Sequence, residues 1–139
     1  HIGGVRYVND SKGTNPGAMI AAVSGEASER NVHLIAGGVS KSADFARLQD
    51  AIGRYIKRAY LIGDAAPLLY SALPEIDCAI YTGLPDALKA ARNIADSGDV
   101  VLLSPGCASF DQFDNFGARG DAFCQVAKHL CNQQGEAHA

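Results

Sequence analysis

Five times along this chain a short apolar run ends in small, turn-forming residues and gives way to a segment of helical periodicity. The pattern predicts strands over residues 5–9, 31–36, 58–62, 77–81 and 99–103. Helices are expected over 17–24, 43–55, 65–72, 84–96 and 115–130. Parallel strands need helical crossovers, so repeated alternation of this kind points to an α/β fold. The expected architecture is a single Rossmann-like, doubly wound, mainly parallel sheet with helices on both faces. The run Val100-Val101-Leu102-Leu103 is apolar throughout, as expected of an interior strand buried on both faces. In the segment 43–55, Phe45, Leu48, Ile52 and then Ile56 recur at helical spacing. Pro85 sits in the first turn of its helix, where a missing N–H costs nothing.

A chain of 139 residues corresponds to one domain, 1–139, with a polar tail over 132–139 expected to fray. Apolar residues make up 47% and charged residues 19%, which excludes intrinsic disorder. The net charge of −3 excludes the basic face that nucleic-acid binding requires. No apolar run approaches the length of a membrane span, and the first residues lack the regions of a secretion signal. None of Cys78, Cys107, Cys124 and Cys131 forms a C-x-x-C pair, and each lies among small or apolar residues. They read as free, buried thiols and fit the reducing cytoplasm.

In doubly wound sheets ligands sit outside the carboxyl ends of the strands. That rule selects three loops. The first, residues 9–16, gathers Asn9, Asp10, Ser11, Lys12, Thr14 and Asn15 around Gly13. Backbone N–H groups at the start of the following helix would hold an anion there. The competing reading is a capped turn, since Asn, Asp and Ser are ordinary turn formers, but Lys12 has no capping role. The second, residues 36–44, turns on Gly37-Gly38 and places Lys41 at a helix entrance. An ammonium there opposes the helix dipole and calls for a bound anion. The loop is neither G-x-x-x-x-G-K-[ST] nor G-x-G-x-x-G, and no phosphate-cradling loop of the first kind occurs in the sequence. The third, residues 103–113, follows the most apolar strand and carries Ser104, Cys107 and Ser109. Phe110, Phe113 and Phe116 fall within it or just beyond. The histidines are His1, His33, His129 and His138, and none lies in a carboxyl-end loop, so Cys107 has no base to make it a nucleophile.

Together NDSKGTNPGA (9–18), LIAGGVSKSADF (34–45) and LLSPGCASFDQFDNFGARGDAF (102–123) resemble the C-terminal domain of the bacterial Mur ligases, and within them the D-glutamate-adding branch. The resemblance spans about residues 5–130. Gly106 stands where alanine is expected, and Phe110 where leucine is common. The resemblance implies an ATP-dependent, amide-forming ligase of peptidoglycan precursor synthesis, working in the bacterial cytoplasm through an acyl phosphate. It implies that D-glutamate is joined to UDP-N-acetylmuramoyl-L-alanine. This domain would receive the amino acid and close over ATP, while the phosphate loop and Mg²⁺ ligands lie in other domains. The domain alone is then expected to be inactive. Carried over by position, Thr14, Lys41 and Ser109 would meet D-glutamate. The backbone at Phe110 and the ring region of Phe116 would close that pocket. Asp10 and Asn15 would meet the nucleotide, and Lys12 would face the reacting groups.

Three alternatives remain at this point. One is a sister Mur-type ligase with another amino-acid specificity. A response-regulator receiver would use Asp10, Asp64 and Thr82, but Ser104-Pro105 stands where a receiver has lysine and proline. A non-catalytic dinucleotide-binding module lacks its glycine fingerprint. The first strand is also expected to form a sheet edge, open to pairing with a second copy.

Overall fold

A computed structural model describes residues 4–10, 16–38 and 48–104. The elements run β1 (Arg6–Asn9), α1 (Pro16–Glu26), β2 (Val32–Gly37), α2 (Leu48–Ile52), a 3₁₀ turn (Gly53–Tyr55), β3 (Ile56–Ile62), α3 (Ala66–Ala72), β4 (Cys78–Ile80), α4 (Leu84–Ile94) and β5 (Val100–Leu103). The strands form one sheet in the order β1-β5-β2-β3-β4. Every pairing is parallel, with Asn9 and Ile35 both in register with Leu103.

This order puts the first strand at an edge of the described sheet and inserts the last between the first and second. A receiver has its first strand second in the order 2-1-3-4-5, and the dinucleotide fold has it inside 3-2-1-4-5-6. Neither alternative fits. Of the three interior strands, β5 and β2 are buried along their whole length. Their side chains alternate between two cores. Leu34, Ala36, Val100 and Leu102 pack with α1, α2 and α3 through Met19, Val23, Leu48, Ile52 and Leu69. Ile35, Tyr60, Val101 and Leu103 pack on the other face with α4 through Leu84, Leu88 and Ala91.

Local chemistry sets the boundaries. Gly37 and Gly38 both take positive φ, 135° and 138°, so the chain leaves β2 abruptly. A Cβ at Gly37 would collide with the backbone carbonyl of Ile62 on the neighbouring strand. Hence glycine alone fits where β2 and β3 end side by side. Pro85 lies in the first turn of α4, as expected. That helix stops at Ile94, two residues before the expected end, because Ala95 is already extended and Gly98 turns with φ 94°.

The stripe through 43–55 resolves differently. Within the described part of this segment Leu48–Ile52 is α-helical and tightens into the 3₁₀ turn, and residues 43–47 lie outside the described residues. Leu48 and Ile52 are fully buried, as the stripe requires, but Ile56 opens β3. Its helical spacing from Ile52 arises because a strand residue and a helix residue both face the same core. Phe45, the loop expected over 104–113 beyond Ser104, the helix over 115–130 and the tail over 132–139 lie outside the described residues.

Candidate ligand-binding end of the sheet

The three loops singled out in the sequence leave β1, β2 and β5, which are neighbours in the sheet, all from the carboxyl end. Backbone bonds tie the three departure points together. The Asp10 N–H donates to the Leu103 carbonyl at 2.8 Å, and the Ser104 N–H donates to the Ile35 carbonyl at 3.2 Å. The Ala65 N–H donates to the Gly38 carbonyl at 2.9 Å and braces the second loop's start. Asp10 is half-buried, and its Oδ2 accepts a hydrogen bond from the fully buried Ser104 hydroxyl at 3.1 Å. A cleft of about 480 Å³ opens beside it, lined by Val8, Asn9, Asp10, Ala18, Ala22 and Leu102 among others. The alanines of α1 leave this space because their side chains stop at Cβ.

Of the candidate residues, Asp10 is described. Lys12, Thr14, Asn15, Lys41, Ser109, Phe110 and Phe116 lie outside the described residues. Cys107, Cys124 and Cys131 do too. Cys78 is a half-buried free thiol whose pKa burial pushes up to about 11, so it is inert at neutral pH.

At the opposite end of the sheet lies a polar cluster that sequence reasoning did not find. His33 is fully buried on β2, with Nδ1 2.8 Å from the Tyr60 hydroxyl and Nε2 2.8 Å from Asp99 Oδ2. A carboxylate only accepts, so Nε2 carries the proton and Nδ1 accepts from Tyr60. Asp99 Oδ2 also accepts from the Asp96 N–H at 2.9 Å and from Lys57 Nζ at 3.0 Å. Burial holds the His33 imidazole below its ordinary pKa and outweighs the opposing pull of Asp99. Burial raises the Asp99 carboxyl, but the Asp96 N–H, His33 and Lys57 bonds together bring it below its usual value.

Both shifts make the native state bind fewer protons than the unfolded chain, so acid destabilises the fold. Stability is expected to be full above about pH 6.5, to fall as pH drops below that value, and to fall further near pH 4 as unfolded Asp99 protonates. Urea midpoints measured from pH 8 to pH 4 check this. A His33→Gln chain, with no imidazole to titrate, is expected to lose the upper part of the slope.

The family model for the Mur ligase glutamate ligase domain matches residues 1–107 of this chain. The chain belongs to the Mur ligase C-terminal domain family. A UDP-N-acetylmuramoylalanine–D-glutamate ligase of Coxiella burnetii (strain Dugway 5J108-111) is 46% identical to this Mur ligase domain over 129 residues, 91% of this chain and 29% of the relative. One of the same name from Albidiferax ferrireducens is 44% identical over 135 residues, 96% of this chain and 27% of the relative. The domain thus spans under a third of the length of these curated relatives. Among solved structures, a domain of a putative UDP-N-acetylmuramate:L-alanyl-gamma-D-glutamyl-medo-diaminopimelate ligase from Haemophilus ducreyi shares the fold. Its TM-score is 0.59 at 12% identity, covering 96% of this chain and 94% of that one. A bifunctional folylpolyglutamate synthase/dihydrofolate synthase from Yersinia pestis gives a TM-score of 0.56 at 20% identity, covering 82% of this chain and 27% of that one.

Proposed function

We propose that this Mur ligase domain receives D-glutamate in an ATP-dependent ligase that joins it to UDP-N-acetylmuramoyl-L-alanine in the bacterial cytoplasm. The observation that carries the reading is the shared origin of the three loops at the carboxyl ends of β1, β5 and β2. Relatives named as D-glutamate ligases, at 46% and 44% identity, support the choice of amino acid.

The chemistry asked of this domain is positioning. ATP converts the acid's carboxylate into an acyl phosphate and leaves as ADP. The amine of D-glutamate attacks the acyl carbon, the tetrahedral adduct expels phosphate, and the nitrogen loses its proton. D-Glutamate brings two carboxylates, so the site needs an ammonium, hydroxyls and backbone N–H donors. Lys41, Thr14, Ser109 and the backbone at Phe110 supply them, with Phe116 closing the pocket. Lys12 faces the reacting groups, and Asp10 and Asn15 meet the nucleotide. Holding the amine against an activated acyl carbon saves the entropy of bringing the two together. Mg²⁺ accompanies ATP, neutralises its phosphates and is held, on this reading, by the ligase's other domains. Among the described residues no group of three or more His, Cys, Asp or Glu side chains is placed to bind a metal.

The intact ligase, given UDP-N-acetylmuramoyl-L-alanine, ATP and Mg²⁺, is expected to release phosphate with D-glutamate. L-alanine, L-lysine and meso-diaminopimelate should give none. The 139-residue domain alone should release no phosphate above a blank. Amide formation with another of these amino acids in place of D-glutamate would assign the domain to a sister ligase.

A further inference from the structure

We propose that Ser104 is a positioning residue that fixes the Asp10 carboxylate for the nucleotide, an inference that rests on the proposed role of Asp10. Ser104 directly follows β5 and is fully buried, so its hydroxyl cannot itself touch a ligand. That hydroxyl donates to Asp10 Oδ2 at 3.1 Å. The Asp10 N–H in turn donates to the Leu103 carbonyl at 2.8 Å, so backbone and side chain of Asp10 are both held by the end of β5. The Ser104 N–H donates to the Ile35 carbonyl at 3.2 Å and secures the serine to β2. The interior strands β5 and β2 therefore set where the carboxylate stands, although Asp10 itself follows an edge strand of the described sheet. One carboxylate oxygen is committed to Ser104. Among the described residues no hydrogen bond occupies the other, which on this reading takes the donors a nucleotide offers, its ribose hydroxyls and adenine amino group. Without the serine, the carboxylate must be ordered at the moment of binding, and that cost appears as weaker nucleotide binding.

A double-mutant cycle in the intact ligase tests this. Ser104→Ala is expected to raise the KM for ATP by roughly 5- to 20-fold, less than the full loss of a hydrogen bond to a charged group, because the Asp10 carboxylate remains and only its ordering is lost. Both kcat and the KM for D-glutamate should stay within about twofold of the parent. Asp10→Ala should raise the KM for ATP at least as far, and Ser104→Ala added to it should change nothing more. A merely structural serine would lower the melting temperature and add its effect to that of Asp10→Ala. If Asp10→Ala weakens ATP use but Ser104→Ala does not, or if the two effects multiply, the positioning role is overturned and the Asp10 reading survives. If Asp10→Ala leaves the KM for ATP unchanged, both fall. Ser104→Thr keeps the hydroxyl and should restore most of the ATP affinity. A thermal melt matching the parent confirms that each variant is folded.

Discussion

Replacing Lys41 by alanine in the intact ligase is expected to raise the KM for D-glutamate by roughly 10- to 150-fold. The figure follows from the charge-assisted hydrogen bond between an ammonium and a substrate carboxylate, about 1.5–3 kcal/mol, at about 1.4 kcal/mol per factor of ten. The KM for ATP should change less, because on the proposed reading the ATP phosphates are held by the ligase's other domains and Lys41 does not meet the nucleotide. Lys41→Arg should restore only part of the loss, since a planar guanidinium fork is bulkier and favours bidentate geometry. A solvated lysine beside a helix entrance would behave oppositely. Its removal would leave kinetics untouched and slightly stabilise the fold by relieving the dipole clash. Steady-state kinetics with D-glutamate and ATP varied separately distinguish the two. An unchanged KM for D-glutamate would take Lys41 out of the site.

The second large effect lies at the other end of the sheet. Asp99→Ala is expected to destabilise the domain by about 3–5 kcal/mol, since two donors each lose a bond to a charged acceptor at about 1.5–3 kcal/mol apiece. The loss comes from donors left without an acceptor. His33 Nε2–H is fully buried, and the Asp96 N–H loses its bond in the turn that leads into β5. The Lys57 ammonium, about a third exposed, can turn to Asp96 and to water, so it adds little. Asp99→Asn keeps one acceptor oxygen and should lose roughly half as much as alanine. Against a typical total stability of about 5–15 kcal/mol, the alanine variant sits near the edge of folding. Urea unfolding at pH 7.5 measures it. A shift under 1 kcal/mol, with unchanged m-value, would show that the cluster contributes little.

The sequence pattern disclosed what depends on neighbours along the chain. The apolar runs locate all five described strands, and Gly37-Gly38 marks where β2 ends. Gly63 and Gly98 also take positive φ, one just after β3 and the other in the turn between α4 and β5. What escaped depends on distant partners. His33 meets Tyr60 and Asp99, which are 27 and 66 residues away, and a lone histidine in an apolar strand gives no sign of either. The insertion of β5 between β1 and β2 likewise leaves no local trace, since a buried strand reads the same in any interior position. Ile56 misled because helical periodicity and a shared core produce the same spacing.

The candidate site was legible in another way. Lys12, Thr14, Lys41 and Ser109 were singled out because their loops follow strand ends, and the sheet order explains why those ends adjoin. The Ser104–Asp10 bond was not legible, because it joins residues 94 positions apart across two strands.

On the proposed reading D-glutamate is held by the loops leaving β1, β2 and β5 of this domain. A crystal structure of the intact ligase with D-glutamate and a non-hydrolysable ATP analogue tests it most directly. D-Glutamate is expected within hydrogen-bond distance of Thr14, Lys41 and Ser109, with Asp10 on the nucleotide and Ser104 still bonded to Asp10. D-Glutamate bound at another face of this domain, or wholly within the rest of the ligase, would contradict it.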